Sequence, residues 1–470
     1  MSPLETVVFG TDPWWIILIK ILGLIVFLLA FTIFNVWFER RVVGKMQQRL
    51  GPVMNGPLGL GQALADGTKL LLKEDFRPKG ADKVVFTLAP LLTGTAAFTA
   101  WAVIPLGGEV TMFGVKTHLQ LTDLPMGVLF ILSVAAVGIY GVVLAGWAST
   151  SEYSLVGSIR STAQMISYEI AMGLSLVAVF MYAGSMSTAE IVDAQMAHWG
   201  VLPGLEFPSW YAILLLPSFI IYVISMVAET NRAPFDLVEC EQELVSGYIT
   251  DYSGFRYAVY FLAEYINMAT VSAVAATLFL GGYHAPWPIN PWLTDHAGWS
   301  WIDSGWMGPV WLIAKILCFM FFFVWLRGTL PRLRYDQFMH FGWKALIPIN
   351  LVWILIVATS RVGAAQGWFS NSFLLIAAGV VVAVLLIVFL VPSKPETVRS
   401  EVSRVPTPTE GVFDPFADHY PVPPLPGQIL PEYADVLVGP SAELEADQFF
   451  ADSHGEPDDQ AAPNATPGEV

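Results

Sequence analysis

Apolar residues along this chain are gathered into long runs, with most polar residues between them. A run of about 20 apolar residues is long enough to cross the hydrocarbon core of a membrane as a helix. The pattern predicts nine such spans, at 14–38, 84–105, 126–148, 163–183, 209–228, 256–281, 307–327, 345–360 and 372–391. The predicted fold is therefore all-α, a polytopic membrane bundle of about nine transmembrane helices.

Residues 60–73 have helical spacing but are too polar and too short to span a membrane. Leucines fall on one side of this segment, and GP turn signals precede it, so we expect an amphipathic helix in the membrane interface. Asp66 and Lys69 are three residues apart on it, so they could pair with each other or line an opening beside the bundle. The basic residues that follow could simply contact anionic lipid headgroups.

The composition supports a membrane protein and excludes several kinds of site. The chain of 470 residues is 55% hydrophobic and only 13% charged, whereas a soluble domain usually has about 25% charged residues. Its two cysteines, Cys240 and Cys318, are far apart, so the chain lacks a self-contained iron–sulfur or zinc motif. None of the histidines sits inside an apolar run, as a haem ligand would, and there is no nucleotide-binding motif.

Basic residues predict the orientation of the bundle. The loops after spans 1, 3, 5 and 7 hold 16 Lys and Arg residues, whereas the intervening loops hold two, Lys116 and Arg361. Because basic loops stay on the cytoplasmic side, we expect the N-terminus outside and the C-terminal tail inside. The tryptophans between 287 and 306 are typical of an interfacial aromatic belt.

The net charge of −16 is concentrated at the end of the chain. Residues 392–470 hold 15 Asp and Glu, three Lys and Arg, and 14 of the 32 prolines. Such a segment cannot bury enough apolar surface to fold alone, so we expect a disordered cytoplasmic tail after a membrane domain of residues 1–391. The alternative is a strap that binds a partner through Tyr420 or through Phe449 and Phe450.

An unusual group of carboxylates lies in the loop after the fifth span. Five carboxylates fall within fifteen residues, beside Arg232: Glu229, Asp236, Glu239, Glu241 and Glu243. Ionisable groups near membrane depth are costly, roughly 2.5–3.5 kcal/mol each on insertion scales. We therefore expect this segment to move or hold protons, ions or a polar ligand.

Two further carboxylates lie inside predicted spans. Glu169 is about two turns inside the fourth span, and Glu264 occupies a similar place in the sixth, each beside a tyrosine. A buried polar role for Glu169 is the alternative to a proton-relay role. Carboxylates clustered at low dielectric titrate together, which is the chemistry of a hydrated proton path.

Four sequence blocks resemble a known family. The blocks are ERRVVGKMQQRLGP with ADGTKLLLKE, GWASTSEYSLVGSIRSTAQMISYE, AETNRAPFDLVECEQELVSGYITDYSGFRYAVYFLAEYINM, and PRLRYDQFMHFGWK. Over roughly residues 10–360 they resemble the family of H subunits of the proton-translocating NADH–quinone oxidoreductase, respiratory complex I. The resemblance implies a bacterial plasma-membrane subunit of a translocase, placed where the membrane arm meets the redox arm.

The resemblance also implies roles for individual residues. Quinone-chamber residues would be Arg40, Arg49, Asp66, Lys69, Arg232 and Phe235. The acidic proton path would comprise Glu169, Glu229, Asp236, Glu239, Glu241, Glu243 and Glu264.

The resemblance implies partners rather than resident cofactors. The chain would bind no cofactor of its own and no metal, with a quinone as substrate and with NADH, FMN and iron–sulfur clusters in partner subunits. Its partners would be the other complex I subunits and membrane lipids, without nucleic acid. Two alternatives stay open, a related membrane subunit of an energy-converting hydrogenase and a free-standing cation/proton antiporter.

Overall fold

Long apolar helices form the bulk of the protein, as the sequence predicts. The computed structural model describes residues 12–196, 198–202, 205–236, 245–286, 305–366, 377 and 379–381. The helices are α1 (Trp14–Met46), α2 (Gly61–Leu72), α3 (Lys83–Ala100), α4 (Gly127–Ala148), α5 (Glu152–Ala183), α6 (Thr188–Ala194), α7 (Tyr211–Leu214), α8 (Leu216–Glu229), α9 (Gly254–Phe279), α10 (Gly308–Thr329), α11 (Tyr335–Phe341) and α12 (Ile347–Ala365). Two antiparallel hairpins join β1 (Gly107–Met112) to β2 (Val115–Leu119) and β3 (His198–Leu202) to β4 (Leu205–Pro208).

Within the described part of the chain, seven helical segments are long and apolar enough to cross a membrane. They match predicted spans 1 to 4, 6, 7 and 8, the last as a 29-residue segment, Tyr335–Gly363. The segment predicted to lie in the membrane interface, residues 60–73, is also helical, as α2. The ninth span lies almost wholly outside the described residues, as does most of the tryptophan-rich loop, and the acidic tail lies entirely outside them.

The fifth predicted span is not one continuous helix. Its apolar run forms two shorter helices, α7 and α8, separated by Leu215, whose backbone has φ −110° and ψ 42°. Pro217 explains the interruption, because proline lacks the N–H that would bond to the carbonyl of Ile213 in a continuous helix. Leu216–Glu229 alone has 14 residues.

Helix α9 lies at the centre of the bundle. Its most apolar 18-residue window is 78% buried, against 28% for the corresponding window of α1. It packs against α3, α8 and α10, while α5 packs against α4, α8 and α12. Glycines allow some of these contacts, since a Cβ on Gly146 of α4 would lie only 2.0 Å from the Ser158 hydroxyl of α5.

The two ends of the bundle differ in chemistry. The end that carries segments 47–82, 149–151, 230–236, 245–253 and 330–334 is called the basic face here, because the first, third and fifth of these segments hold Lys and Arg. The opposite end carries the β1–β2 hairpin and α6 and is called the hairpin face. The distinction follows from the chain itself, because successive long helices run in alternate directions between these two ends.

Two lysines inside apolar helices are tied down at the hairpin face. Lys20 of α1 donates hydrogen bonds to Asp12 (2.7 Å) and to Thr117 of β2 (2.6 Å), which attaches the hairpin to α1. Lys315 of α10 donates to the backbone carbonyls of Leu280, Gly282 and His284 at 2.7–2.8 Å. Each ammonium group therefore has its hydrogen bonds met by protein atoms.

Replacing Lys315 with Met should destabilise the protein. The change would leave three carbonyls after α9 without their shared donor, and an unsatisfied buried polar group costs about 1–3 kcal/mol. We expect a lower midpoint of thermal unfolding for the purified protein in detergent. The control is Lys116→Met at an exposed position of β2, and equal midpoints for the two variants would contradict this role.

Candidate functional site

A buried ion-pair cluster lies at the basic face. Arg232 follows α8, and its guanidinium Nε lies 3.0 Å from Glu264 of α9, while its Nη1 lies 3.5 Å from Glu39 of α1. The Arg232 side chain is only 4% exposed. A buried charge in an apolar bundle must be paired, so this one arginine joins three helices through two carboxylates.

Glu39 has two further partners. Arg327 of α10 forms a short ion pair and hydrogen bond with it, and the Tyr265 hydroxyl of α9 donates to it at 2.5 Å. The Arg232 guanidinium also lies over the Tyr265 ring, 4.8 Å from its centroid. Glu39 is thus surrounded by three donors from three different segments.

The loop after α8 is held in place by neighbouring side chains. Gln164 of α5 donates to the carbonyls of Ala228 and Phe235, at 2.7 and 2.8 Å, so it spans the whole turn. Asp236 pairs with Arg332 at 3.2 Å. These contacts fix the place at which Arg232 enters the bundle.

Phe235 is packed rather than open. Its ring is 6% exposed and lies 5.5 Å from the Tyr168 ring and 5.8 Å from the Phe338 ring, measured between centroids. The Tyr168 hydroxyl donates to the backbone carbonyl of Phe338 at 2.8 Å. This aromatic group joins α5 and α11 to the loop.

Glu229 differs from the paired carboxylates. It ends α8 and is 4% exposed, yet its Oε2 atom has no hydrogen-bond partner among the described residues. Glu169 of α5 is half-buried, lies close enough to interact electrostatically with Glu229, and likewise lacks an ion-pair partner in the described part of the chain. Within that part, two carboxylates therefore lie near each other without a basic partner.

Glu229 and Glu264 both line a cavity of about 90 Å³ between the helices, which has room for several water molecules. The cavity lies between α3, α4, α5, α8 and α9. Its lining on α9 runs from Tyr260 to Val274, roughly 20 Å along the helix axis at 1.5 Å per residue. The arrangement can hold water beside carboxylates and so can store and pass protons.

A second ion pair connects α1 to α2. Arg40 bonds to Asp66 at 2.5 Å, and Gln62 donates to the other Asp66 oxygen at 3.0 Å. The side chains of Arg40 and Asp66 are 44% and 33% exposed. The alternative pairing of Asp66 with Lys69 is not the one found, because α1 brings a guanidinium to Asp66 while Lys69 is exposed.

The predicted site residues are only partly brought together. Arg232 and Glu264 share one cluster, Glu229 and Glu169 lie beside it, and Asp236 pairs at its edge. Arg49 is exposed and bonds to Gln47 at 2.8 Å, away from these contacts. Glu239, Glu241 and Glu243 lie outside the described residues.

Three members of the cluster were not among the predicted site residues. They are Glu39, Tyr265 and Arg327. Glu39 and Arg327 are 288 positions apart, so their pairing leaves no local pattern in the chain. The available signal was that both are charged residues at the basic ends of apolar helices.

Comparison with known proteins places the chain in a family. A family profile described as NADH dehydrogenase matches residues 19–358. The chain belongs to this NADH dehydrogenase family. The resemblance carried by the four sequence blocks is thereby confirmed, and all described members of the ion-pair cluster fall inside the matched range.

Relatives similar over most of their length share one name, that of the H subunit of NADH-quinone oxidoreductase. The protein from Cutibacterium acnes is 56% identical over 91% of this chain and 94% of its own length. Those from Streptomyces avermitilis and Frankia alni are 49% and 55% identical, covering 90% and 81% of this chain and 90% and 80% of their own lengths. The similarity to members of the family therefore covers most of the length of these relatives.

Replacing Arg232 with Gln should strongly destabilise the basic face. Removing one member of a buried ion pair leaves charge uncompensated and costs about 3–5 kcal/mol. The expected result is early thermal unfolding of the purified protein, with partial recovery in Arg232→Lys because lysine keeps the charge but not the planar fork. The matched control is Arg40→Gln, since an exposed pair contributes about 0–1 kcal/mol. Similar losses in the two Gln variants would contradict the role of burial.

Proposed function

We propose that this chain is a membrane subunit of a proton-pumping NADH–quinone oxidoreductase. Its role is to form part of the quinone chamber and the first acidic part of the proton path. The names of its relatives support the complex. The observation that carries the role is the convergence of carboxylates from α1 and α9 on Arg232, beside a cavity lined by Glu229 of α8.

The quinone chamber is proposed at the junction of α1, α2 and the loop after α8. Arg40 and Asp66 connect the two helices there, and the α2 surface exposes Leu64 and Leu71, which suits the passage of a lipophilic carrier. The remaining members of the predicted chamber have two roles. Arg49 and Lys69 are exposed on the basic face and would add positive charge to the chamber entrance. Arg232 and Phe235 would form the inner wall of the chamber.

Quinone reduction and proton transfer would be coupled because two carboxylates share the positive charge of Arg232. Reduction of a quinone to a quinol takes up two electrons, supplied by the partner subunits, and two protons. If carboxyl groups beside the chamber supply those protons, they are left as anions. Glu39 and Glu264 share Arg232, so a proton bound by one leaves the guanidinium to stabilise the other as an anion. That exchange would pass a proton inward.

The proposed path continues from Glu264 to Glu229 and Glu169. Glu229 and Glu264 line the same cavity, so water there can link their carboxyl groups. Protons from the basic face would be supplied by Asp236 with Glu239, Glu241 and Glu243 of the following segment. Proton transfer along this path needs no cofactor held by this chain. NADH, FMN and the iron–sulfur clusters are assigned to partner subunits.

The proposed orientation places the basic face in the cytoplasm of a bacterial cell and the hairpin face outside. The support is the distribution of Lys and Arg, which follows the preference of basic loops for the cytoplasmic side. The redox arm would then dock on the basic face, next to the chamber. Membrane lipids would contact the outer surface of the bundle.

The alternative of an energy-converting hydrogenase subunit predicts different neighbours. Hydrogenase subunits should then co-purify with this chain in mild detergent. The names shared by the relatives favour NADH-quinone oxidoreductase partners instead.

Replacing Glu229 with Gln tests the proton path. Gln keeps the shape of the side chain but cannot carry a proton, so quinone reduction and proton pumping should fall together, by a factor of about 100 on the scale typical of positioned acid–base groups. Both rates are measured on the assembled complex in vesicles, with subunit content checked first. Glu152→Gln, an exposed carboxylate on the basic face, should leave both rates unchanged. Full activity of Glu229→Gln in both assays would refute the path.

A photoreactive quinone analogue tests the chamber. Labelling should fall within residues 40–70 and decrease when unlabelled quinone competes. Peptide mapping of the labelled chain provides the readout. Labelling confined to the β1–β2 hairpin or α6 would place the quinone at the wrong face and overturn the assignment.

A further inference from the structure

The cavity has two ends of opposite chemistry. Towards the basic face it is lined by polar groups, including Glu229, Asn231 and Glu264. Towards the hairpin face it is lined by apolar residues, including Ala100 and Val128. These two belong to the last turn of α3 and the first turn of α4, so the cavity reaches close to the hairpin face.

A layer of tightly packed residues lies next to that end, where Val103 follows Ala100 in the chain and Gly127 precedes Val128. It comprises Val103, Gln120, Gly127 and Thr188, and we name it the hairpin-face seal. Val103 is 0% exposed, Thr188 2% and Gln120 4%. Gly127 allows the closest approach, because a Cβ there would lie only 2.7 Å from the Val103 Cγ1 atom.

Hydrogen bonds join the three segments of the seal. The Val103 carbonyl accepts from the Gln120 amide at 2.9 Å and from the Thr188 hydroxyl at 2.8 Å. The same Gln120 amide also donates to the Thr122 carbonyl at 3.0 Å. The turn after α3, the segment before α4 and the start of α6 are thereby fixed to one another.

We propose that the hairpin-face seal keeps protons in the cavity from reaching the hairpin face. Protons taken up by Glu229 and Glu264 then stay available for directed transfer and do not leak across the membrane. The seal suits this task because its polar atoms bond to one another and its remaining surface is apolar, which leaves no binding place for a continuous chain of water. Gln120 and Thr188 are positioning residues in this scheme.

The inference rests on the proposed proton path, and it can fail separately from it. The test uses the whole complex in vesicles at rest, with an imposed pH difference followed by an enclosed pH-sensitive dye. In the double variant Gln120→Ala with Thr188→Ala, the pH difference should decay about tenfold faster, since losing hydrogen bonds of this size shifts an opening equilibrium by about that factor. Adding Glu229→Gln should slow that leak.

Two controls separate a specific leak from general loosening. Gln195→Ala removes another buried amide near the hairpin face, one that bonds to the Thr277 carbonyl at 2.9 Å and, within the described part of the chain, to none of the four seal residues, and this variant should not leak. Thr188→Ser keeps the hydroxyl and should remain tight.

A second readout measures access directly. A cysteine introduced at Ala100 should react with a membrane-impermeant thiol reagent applied to the hairpin face only in the double variant, with the same complex lacking that cysteine as background. If the double variant neither leaks nor exposes this cysteine, the seal assignment is wrong. In that case a loss of pumping in Glu229→Gln would still leave the proposed function intact.

Discussion

The pairing of Arg232 with carboxylates from separate helices is the interaction on which the basic face depends. Its guanidinium reaches Glu39 of α1 and Glu264 of α9, and Glu39 in turn binds Arg327 of α10. A lysine in this place would offer a point charge, whereas the planar fork can serve two acceptors at once. The cluster therefore decides how four helix ends meet, and with them the loop that carries Asp236.

Glu229 shows a different balance between stability and function. A buried carboxylate without a basic partner, as Glu229 is among the described residues, is unfavourable, and replacing it with an apolar residue would relieve that cost. Glu229 lies beside the cavity and beside Glu169. The free-energy cost of a charge on Glu229 therefore depends on whether Glu169 is protonated. The same feature that weakens the fold at this point makes the site responsive to protons.

The sequence predicts what depends on local pattern and little of what depends on distant contacts. Helix-length apolar runs and the helical period of residues 60–73 were enough for α1, α2 and most of the other helices. The break at Leu215 was missed because a single proline inside an apolar run can either kink a helix or begin a new one. Asp66 was assigned Lys69 as a possible partner by spacing alone, but tertiary packing brings Arg40 instead. The pair of Glu39 with Arg327 was beyond reach, since nothing in one sequence relates positions so far apart.

The two faces treat their charges in opposite ways, and this difference gives the bundle a direction. At the hairpin face Lys20 and Lys315 are each bound by several oxygens at 2.6–3.2 Å, so their charges are fixed. At the basic face Arg232 is shared between two carboxylates, and Glu229, which lines the cavity, has one oxygen that no described residue bonds. Charge that is shared can be redistributed by a proton, whereas charge that is saturated by carbonyls cannot. In the proposed path, a proton therefore acts first at the basic face, where the charge of Arg232 is shared.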